Sequence, residues 1–118
     1  MQSRVPPQAI EVEEHVLGAM LTDPGSIDVA FEQLISTDFY KTEHQQIFRA
    51  MQELHQQSQP IDLVSVENQL TKKNVEIHGN VLPDLTRSGS SGNVGYYSQI
   101  IKQKAIKRSL IKICNDTM

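Results

Sequence analysis

Apolar side chains return every three or four positions along almost the whole chain, and nowhere do they alternate in a β-branched run bounded by hairpin turns. The pattern predicts an all-α fold, a small bundle of about five to six helices that ends in one long helix. The first helix is expected from Ala9 to Leu21, after Pro6-Pro7, with Ile10, Val16, Leu17, Met20 and Leu21 on a broad apolar face. Asp23-Pro24-Gly25 ends it and starts a second. Proline suits a first helical position because its missing N–H would be unpaired there, so Asp23 can cap a helix that carries Ile27, Ala30, Phe31 and Leu34 and stops near Ser36.

Asp38-Phe39-Tyr40 reads as a short connection, and Thr42 with Gln45 fits a capping box for a third helix that reaches about Gln57. Its stripe is Ile47, Phe48, Met51 and Leu54, with His44 and His55 on the same side. Pro60 breaks the chain, and Asp62 caps a fourth helix with Leu63, Val66 and Leu70 inward, ending around Lys72-Lys73-Asn74. Residues 75–92 are the least regular part, with room for a short helix around Leu82–Thr86. Asn93 then caps the longest helical pattern, from Val94 to about Cys114. This last helix changes face: Tyr97, Ile101 and Ala105 gather on one side, Ile106, Leu110 and Ile113 on a nearly opposite one. One packing surface cannot cover both. The later face either meets a partner or is buried by a bend of the helix over its own domain.

The 118 residues, 38% hydrophobic and 21% charged, suit one domain with a small core and exclude disordered or collagen-like classes. No apolar run approaches the roughly 20 residues that cross a bilayer, and Met1–Arg4 opens no signal peptide, so a soluble, cytoplasmic protein without membrane contact is expected. The one cysteine, Cys114, cannot staple the fold or build a zinc site. The net charge of −3 hides an uneven distribution: residues 1–86 hold 13 acidic and 5 basic side chains, residues 87–118 hold 1 acidic and 6 basic. The C-terminal segment is electrostatically a different surface.

Candidate chemistry is sparse. Gly89-Ser-Ser-Gly92-Asn-Val-Gly95 could offer backbone N–H groups to a phosphate, but it lacks the Gly-Lys-Ser/Thr ending of a P-loop and reads as a hinge with a helix cap. Glu11, Glu14 and His15 share a helical turn without metal-site spacing and read as a solvated acidic face. His44 and His55 read as hydrogen-bonded residues at the core edge, Asp62 and Ser65 as caps. Asn115-Asp116-Thr117 matches a glycosylation sequon that an intracellular chain would not use. No catalytic, cofactor or metal residues are assigned. Lys104, Lys107 and Arg108, with Lys102 and Lys112, form the basic cluster and are the candidates for nucleic-acid or partner contact. Lysine and arginine are equally at home on a solvated helix face.

Four blocks in order resemble the N-terminal domain of the bacterial replicative DNA helicase of the DnaB type. They are Pro6-Pro7 leading to Glu11-x-Glu13-x-x-Val16-Leu17-Gly18-Ala19-Met20; Asp38-Phe39-Tyr40-x-x-x-His44-x-x-Ile47-Phe48-x-Ala50-Met51; Pro60-Ile61-Asp62-Leu63-Val64-Ser65-Val66; and Asn93-x-x-Tyr96-Tyr97-Ser98-x-Ile100-Ile101-Lys102-x-Lys104-Ala105-Ile106-x-Arg108-x-Leu110-Ile111. Where the family has a Gly-Gly pair leading into Tyr-Leu-x-x-Leu, this chain has Gly79-Asn80-Val81-Leu82-Pro83-Asp84-Leu85, a departure confined to the fifth, short helix.

The resemblance implies a helical head over residues 1–92 and, over 93–118, the first half of a helical hairpin. It further implies a parent protein that is a hexameric, ATP-driven helicase unwinding DNA 5′ to 3′ at the replication fork. ATP and Mg²⁺ would belong to a C-terminal ATPase domain absent from this chain, with no cofactor in this one. Hairpins would pair between subunits, in dimeric contacts through the terminal helix, into a collar that is a trimer of dimers and recruits primase, with a helicase loader as a further candidate partner and single-stranded DNA threading the full ring. Ile106, Leu110, Ile111 and Ile113 are then the expected oligomer or partner interface. The rival reading is a stand-alone helical DNA-binding module using the basic last helix. It is disfavoured by the acidic head, and no recognition helix stands beside a helix-turn-helix spacing. A small hydrolase would need a catalytic group that the residues do not supply.

Overall fold

Side-chain caps start two helices of this chain, at Asp23 and Asp62, and left-handed residues end two, at Ser58 and Asn74. The computed structural model describes residues 8–89 and 91–116. Met1–Arg4, Pro6-Pro7, Ser90 and Thr117, which enter the leader, helix-entry, hinge and sequon readings, lie outside the described residues. The six α-helices are α1 (Ile10–Thr22), α2 (Pro24–Gln33), α3 (Thr42–Gln56), α4 (Leu63–Lys72), α5 (Val81–Ser88) and α6 (Val94–Asp116), with 3₁₀ turns at Ser36–Asp38 and Ser91–Asn93 and no strand among the described residues.

Asp23 caps α2 as expected, its carboxylate accepting from the Gly25 N–H at 3.2 Å and the Ser26 hydroxyl at 3.0 Å. Asp62 and Ser65 form a reciprocal capping box at α4, with both backbone-to-side-chain bonds at 2.9 Å. The box expected at Thr42 and Gln45 does not form. Thr42 already lies inside the helix, Lys41 holds the cap position without a side-chain bond, and Gln45 instead donates to the Phe39 carbonyl at 2.7 Å. α2 stops at Gln33 rather than near Ser36, because Leu34 and Ile35 go extended and the Asp38 carboxylate accepts from the Ile35 N–H at 2.8 Å, closing a tight turn instead. α3 and α4 end on Ser58 and Asn74, both left-handed, with the Gln59 and Val75 N–H groups bonded back to Leu54 and Leu70. The short fifth helix is longer than expected, and Pro83 fits because it sits in the first turn, where its missing donor has no partner to lose.

The core lies between α1 and α3. Val16, Leu17 and Met20 meet Ile47, Phe48 and Met51, all fully buried, and Phe39 from the connection closes the stack with its ring 5.0 Å from that of Phe48. α4 and α5 cover one end through Val66, Leu70, Leu82 and Leu85. α1 and α5 meet without side chains: a Cβ on Gly18 would overlap the Leu85 carbonyl and Gly89, and one on Gly89 would overlap the backbone of Gly18. The start of the segment read as a hinge is therefore a packed corner.

A buried polar pair, Glu13 and His44, sits inside this core. Glu13 is buried to 1% exposure, and its two oxygens are shared between the His44 Nδ1 at 2.7 Å and the Tyr40 N–H at 2.7 Å. His44 is itself buried, so the core-edge reading is corrected to a core position. His55 stays half exposed, 4.0 Å from Asp28. A buried charge is tolerated only when its oxygens are all engaged, which a ring donor and a backbone donor achieve here together.

Outside the core, Glu53 accepts from Lys73 at 2.9 Å and from Gln69 at 3.0 Å, tying α3 to the end of α4. The Lys73 hydrogen bond is the first cause that holds the Glu53 carboxyl below its ordinary value, against the opposing effect of burial. The pair is about one-third exposed on each side and so is screened.

Two outcomes test these contacts. Glu13→Ala leaves the Tyr40 N–H and the His44 ring without their acceptor and should cost about 3–5 kcal/mol in urea unfolding. Because the Glu53 carboxyl is lowered on folding, its contribution is present above the unfolded carboxylate range and is lost as pH falls through the lowered folded value. Lys73→Gln should shrink that loss of stability as pH falls below the ordinary carboxylate range, measured by unfolding at each pH.

Candidate interaction surface on the last helix

The first half of α6 is part of the core. Val94, Ser98, Ile101 and Ala105 fall on one line of the helix and are buried, so the packing runs on well past residue 92. Against them lie α1 and α2. His15 stacks on Tyr97 with ring centroids 5.5 Å apart and is partly buried, so only Glu11 of the expected acidic face stands fully exposed.

Beyond Ala105 the helix leaves the head. Ile106, Leu110, Ile111 and Ile113 are 51%, 57%, 48% and 58% exposed. Ile106, Leu110 and Ile113 share one face, and Ile111 stands about 100° further round from Leu110. The helix does not bend over its own domain to bury them. On the described residues four large apolar side chains stand in solvent within about two helical turns, an apolar patch of the kind that marks an interaction surface.

The angle at which α6 leaves is fixed by the Ser36–Asp38 turn. Asp38 holds the Lys102 ammonium at 2.6 Å through its carboxylate, and its backbone carbonyl accepts from Arg108 at 2.6 Å. The Arg108 guanidinium also lies 5.4 Å over the Tyr40 ring. Tyr40 is the residue whose N–H the buried Glu13 accepts, so the anchor of α6 is continuous with the polar core. Between the turn and the helix runs a groove of about 410 Å³ lined by Ile35, Thr37, Ala105, Ile106, Ser109 and Leu110. Ile35 is 56% exposed and extends the apolar face from the helix onto the head.

Of the basic candidates, Lys107 is exposed and Lys104 partly so, whereas Arg108 faces the head through the contacts just described. The structure thus groups Ile106 and Leu110 with Ile35, and separates Arg108 from Lys107. Sequence reasoning missed Ile35 and Tyr40 because the connection that carries them has no period. The signal available was the density of apolar and aromatic residues in Leu34–Tyr40, too many for a plain solvated loop. Among the described residues no group of three or more His, Cys, Asp and Glu side chains could hold a metal ion, and no helix is long and apolar enough to cross a membrane.

Arg108→Ala should loosen the exit of α6. Amide hydrogen exchange over residues 106–116 is expected to quicken by about tenfold, the worth of one charge-assisted hydrogen bond, while that of α3 stays unchanged.

Residues 5–103 match the family model for the DnaB-like helicase N terminal domain. The chain is 39% identical over 95% of its length to the replicative DNA helicase DnaC of Bacillus subtilis, and 41% identical over 92% to the replicative DNA helicase DnaB of Geobacillus stearothermophilus, covering 26% and 25% of those proteins. It spans about a quarter of the length of these relatives. Among solved structures it is similar to the N-terminal domain of DnaB helicase from Mycobacterium tuberculosis, with a TM-score of 0.91, 32% identity and coverage of 95% of this chain and 81% of that one. The N-terminal domain of DnaB helicase from Helicobacter pylori, described with its interactions with primase, shares the fold at a TM-score of 0.83 and 24% identity, over 91% of this chain and 86% of that one.

Proposed function

The chain belongs to the family of DnaB-like helicase N-terminal domains, and from that premise we propose that it is the assembly and partner-recruitment domain of an ATP-dependent replicative DNA helicase. Residues up to Ala105 form the head, and the outer half of α6 is the part by which subunits and partners are gathered. Its parent protein is a hexamer that unwinds DNA 5′ to 3′ at the fork, in the cytoplasm. ATP and Mg²⁺ act in a domain outside this chain, and single-stranded DNA passes through the full ring. The head and the outer half of α6 together build a collar that recruits primase, and a helicase loader is a second partner for it.

The observation that carries this reading is the exposed run Ile106, Leu110, Ile111 and Ile113 on a helix whose first half is locked in the head. Fully burying an exposed apolar side chain is worth about 1.5–3 kcal/mol, and these four are about half exposed, so covering them supplies roughly half of that each as a driving force for association. The family membership supports assembly as its use, and the family resemblance supports primase as the partner. A DNA-binding role for Lys104, Lys107 and Arg108 would leave the apolar face without a purpose.

Leu110→Asp in the full-length helicase tests the proposal. Leu110 is more than half exposed, so the head should lose no more than about 0.5 kcal/mol of stability. Ring assembly and primase binding, followed by sedimentation and co-sedimentation, should weaken by tenfold or more, the effect of about 1.4 kcal/mol at an interface anchor. Assembly and primase binding at the level of the unchanged protein would overturn it.

A further inference from the structure

A second apolar groove lies on the side of α2 turned away from α6. Pro24, Ile27 and Asp28 share one face of that helix and line the groove, whereas Val29 and Gln33 on the opposite face sit against Gly95 at the start of α6. The groove measures about 580 Å³ and is closed on its other side by Leu21 of α1 and by Pro60 and Ile61 of the connection between α3 and α4. That volume falls within the roughly 300–1,000 Å³ of recesses that hold a ligand. Pro24 and Pro60 are exposed, and Ile27 and Ile61 are only partly covered.

The walls are set before anything enters. Both prolines have a fixed φ, Asp23 and Asp62 are pinned as helix caps, and the Gln59 N–H is bonded back to the Leu54 carbonyl at 2.9 Å. A recess that needs no reordering loses little entropy when a guest binds. The rim carries one sign of charge: Asp23, Asp28 and Asp62 stand along it, and no lysine or arginine lines the groove. The capping bonds of Asp23 and Asp62 come from neutral N–H and hydroxyl donors, so both carboxylates keep their charge. Asp28 is 86% exposed and stands 4.0 Å from His55. Such a rim repels nucleic acid and anionic lipid. An uncharged guest would draw the carboxylates partly out of water without a partner for them.

We propose that this groove docks a basic, amphipathic segment of a partner protein, with apolar side chains in the trough and lysine or arginine against Asp23, Asp28 and Asp62. The head then has a partner surface of its own, on the other side of α2 from α6 and independent of the assembly reading of outer α6.

Fluorescence anisotropy and amide shift mapping of the full 118-residue chain test the contact with three synthetic helices of about 14 residues. The first carries leucine at i, i+3, i+4 and i+7 flanked by lysine, the second has glutamate in place of lysine, and the third has serine in place of leucine. The leucine–lysine helix should bind at least about tenfold more tightly than either control, and its affinity should fall by about threefold or more between about 50 mM and about 500 mM salt. Its amide shifts should centre on Ile27, Asp28, Gln59 and Ile61. Asp28→Lys with Gln59→Arg places two positive charges on exposed groove positions and should weaken binding by about tenfold with an unchanged circular dichroism melt, whereas Leu110→Asp should leave binding as it was. Equal binding of the lysine–serine helix would reduce the contact to charge alone and overturn the proposal. Shifts confined to residues 106–113, or full affinity in the groove variant, would overturn it as well. So would weaker self-association of the groove variant in sedimentation equilibrium, which would assign the groove to a second copy of this chain.

Discussion

The carboxylate of Glu13 has to be buried, and everything around it is arranged so that both oxygens are met. One takes the His44 ring, which fixes the rotation of α3 about its axis relative to α1; the other takes the Tyr40 N–H, which fixes the connection leading into α3. Apolar packing alone leaves helices free to slide by a fraction of a turn at small cost, because Leu, Met and Ile adapt to each other. A carboxylate in a core does not allow that freedom, since a lost bond costs more than a shifted methyl group. The pair stabilises this arrangement over near alternatives more than it stabilises folding as such.

From that point the consequences run outward. With Tyr40 held from behind by Glu13, its ring is fixed under Arg108, and the Asp38 turn ahead of it holds Lys102 and the Arg108 guanidinium. On the opposite flank of α1 the constraint is steric: at Gly18 and Gly89 backbone meets backbone, so α5 is drawn close and the chain is delivered to the start of α6. α1 is therefore held on one side by charge and on the other by the absence of side chains. α6 inherits its direction from both.

The helical character, the order of the elements and most of the core were legible in the sequence, because Ile47, Phe48, Met51 and Leu54 or Val66 and Leu70 repeat with the period of a half-buried helix. The Asp23 and Asp62 caps were legible because their chemistry is local. The failures are places where a partner outside the helical repeat decides, in a neighbouring turn or far along the chain. Gln45 has the spacing of a capping box yet serves the Phe39 carbonyl, and His44 lies on an apolar stripe with nothing nearby to announce its partner 31 positions away. His15 reads as part of a charged patch because Tyr97 is far along the chain. For the surface, the change of face along α6 pointed to Ile106, Leu110 and Ile113, while Ile35 could not be placed beside them, since periodicity says nothing about a turn.

The outer half of α6 must also be helical before anything binds it. Residues 106–116 on their own would be mostly unfolded in water, since an isolated helix shorter than about 12–15 residues is marginal. Here nucleation is already done by the buried half, and each further residue adds one backbone hydrogen bond to an existing helix. Lys104, Lys107, Arg108, Leu110 and Lys112 are good helix formers, and no glycine or proline follows Gly95 in the helix. The Arg108 contacts then hold the first free turn against fraying. The residues that a partner would cover are consequently set in register in advance, so the entropy of ordering them is met during folding rather than at the encounter. The basic residues thus serve the apolar ones: they keep a helix with Ile106, Leu110, Ile111 and Ile113 in solvent both soluble and folded until it is covered.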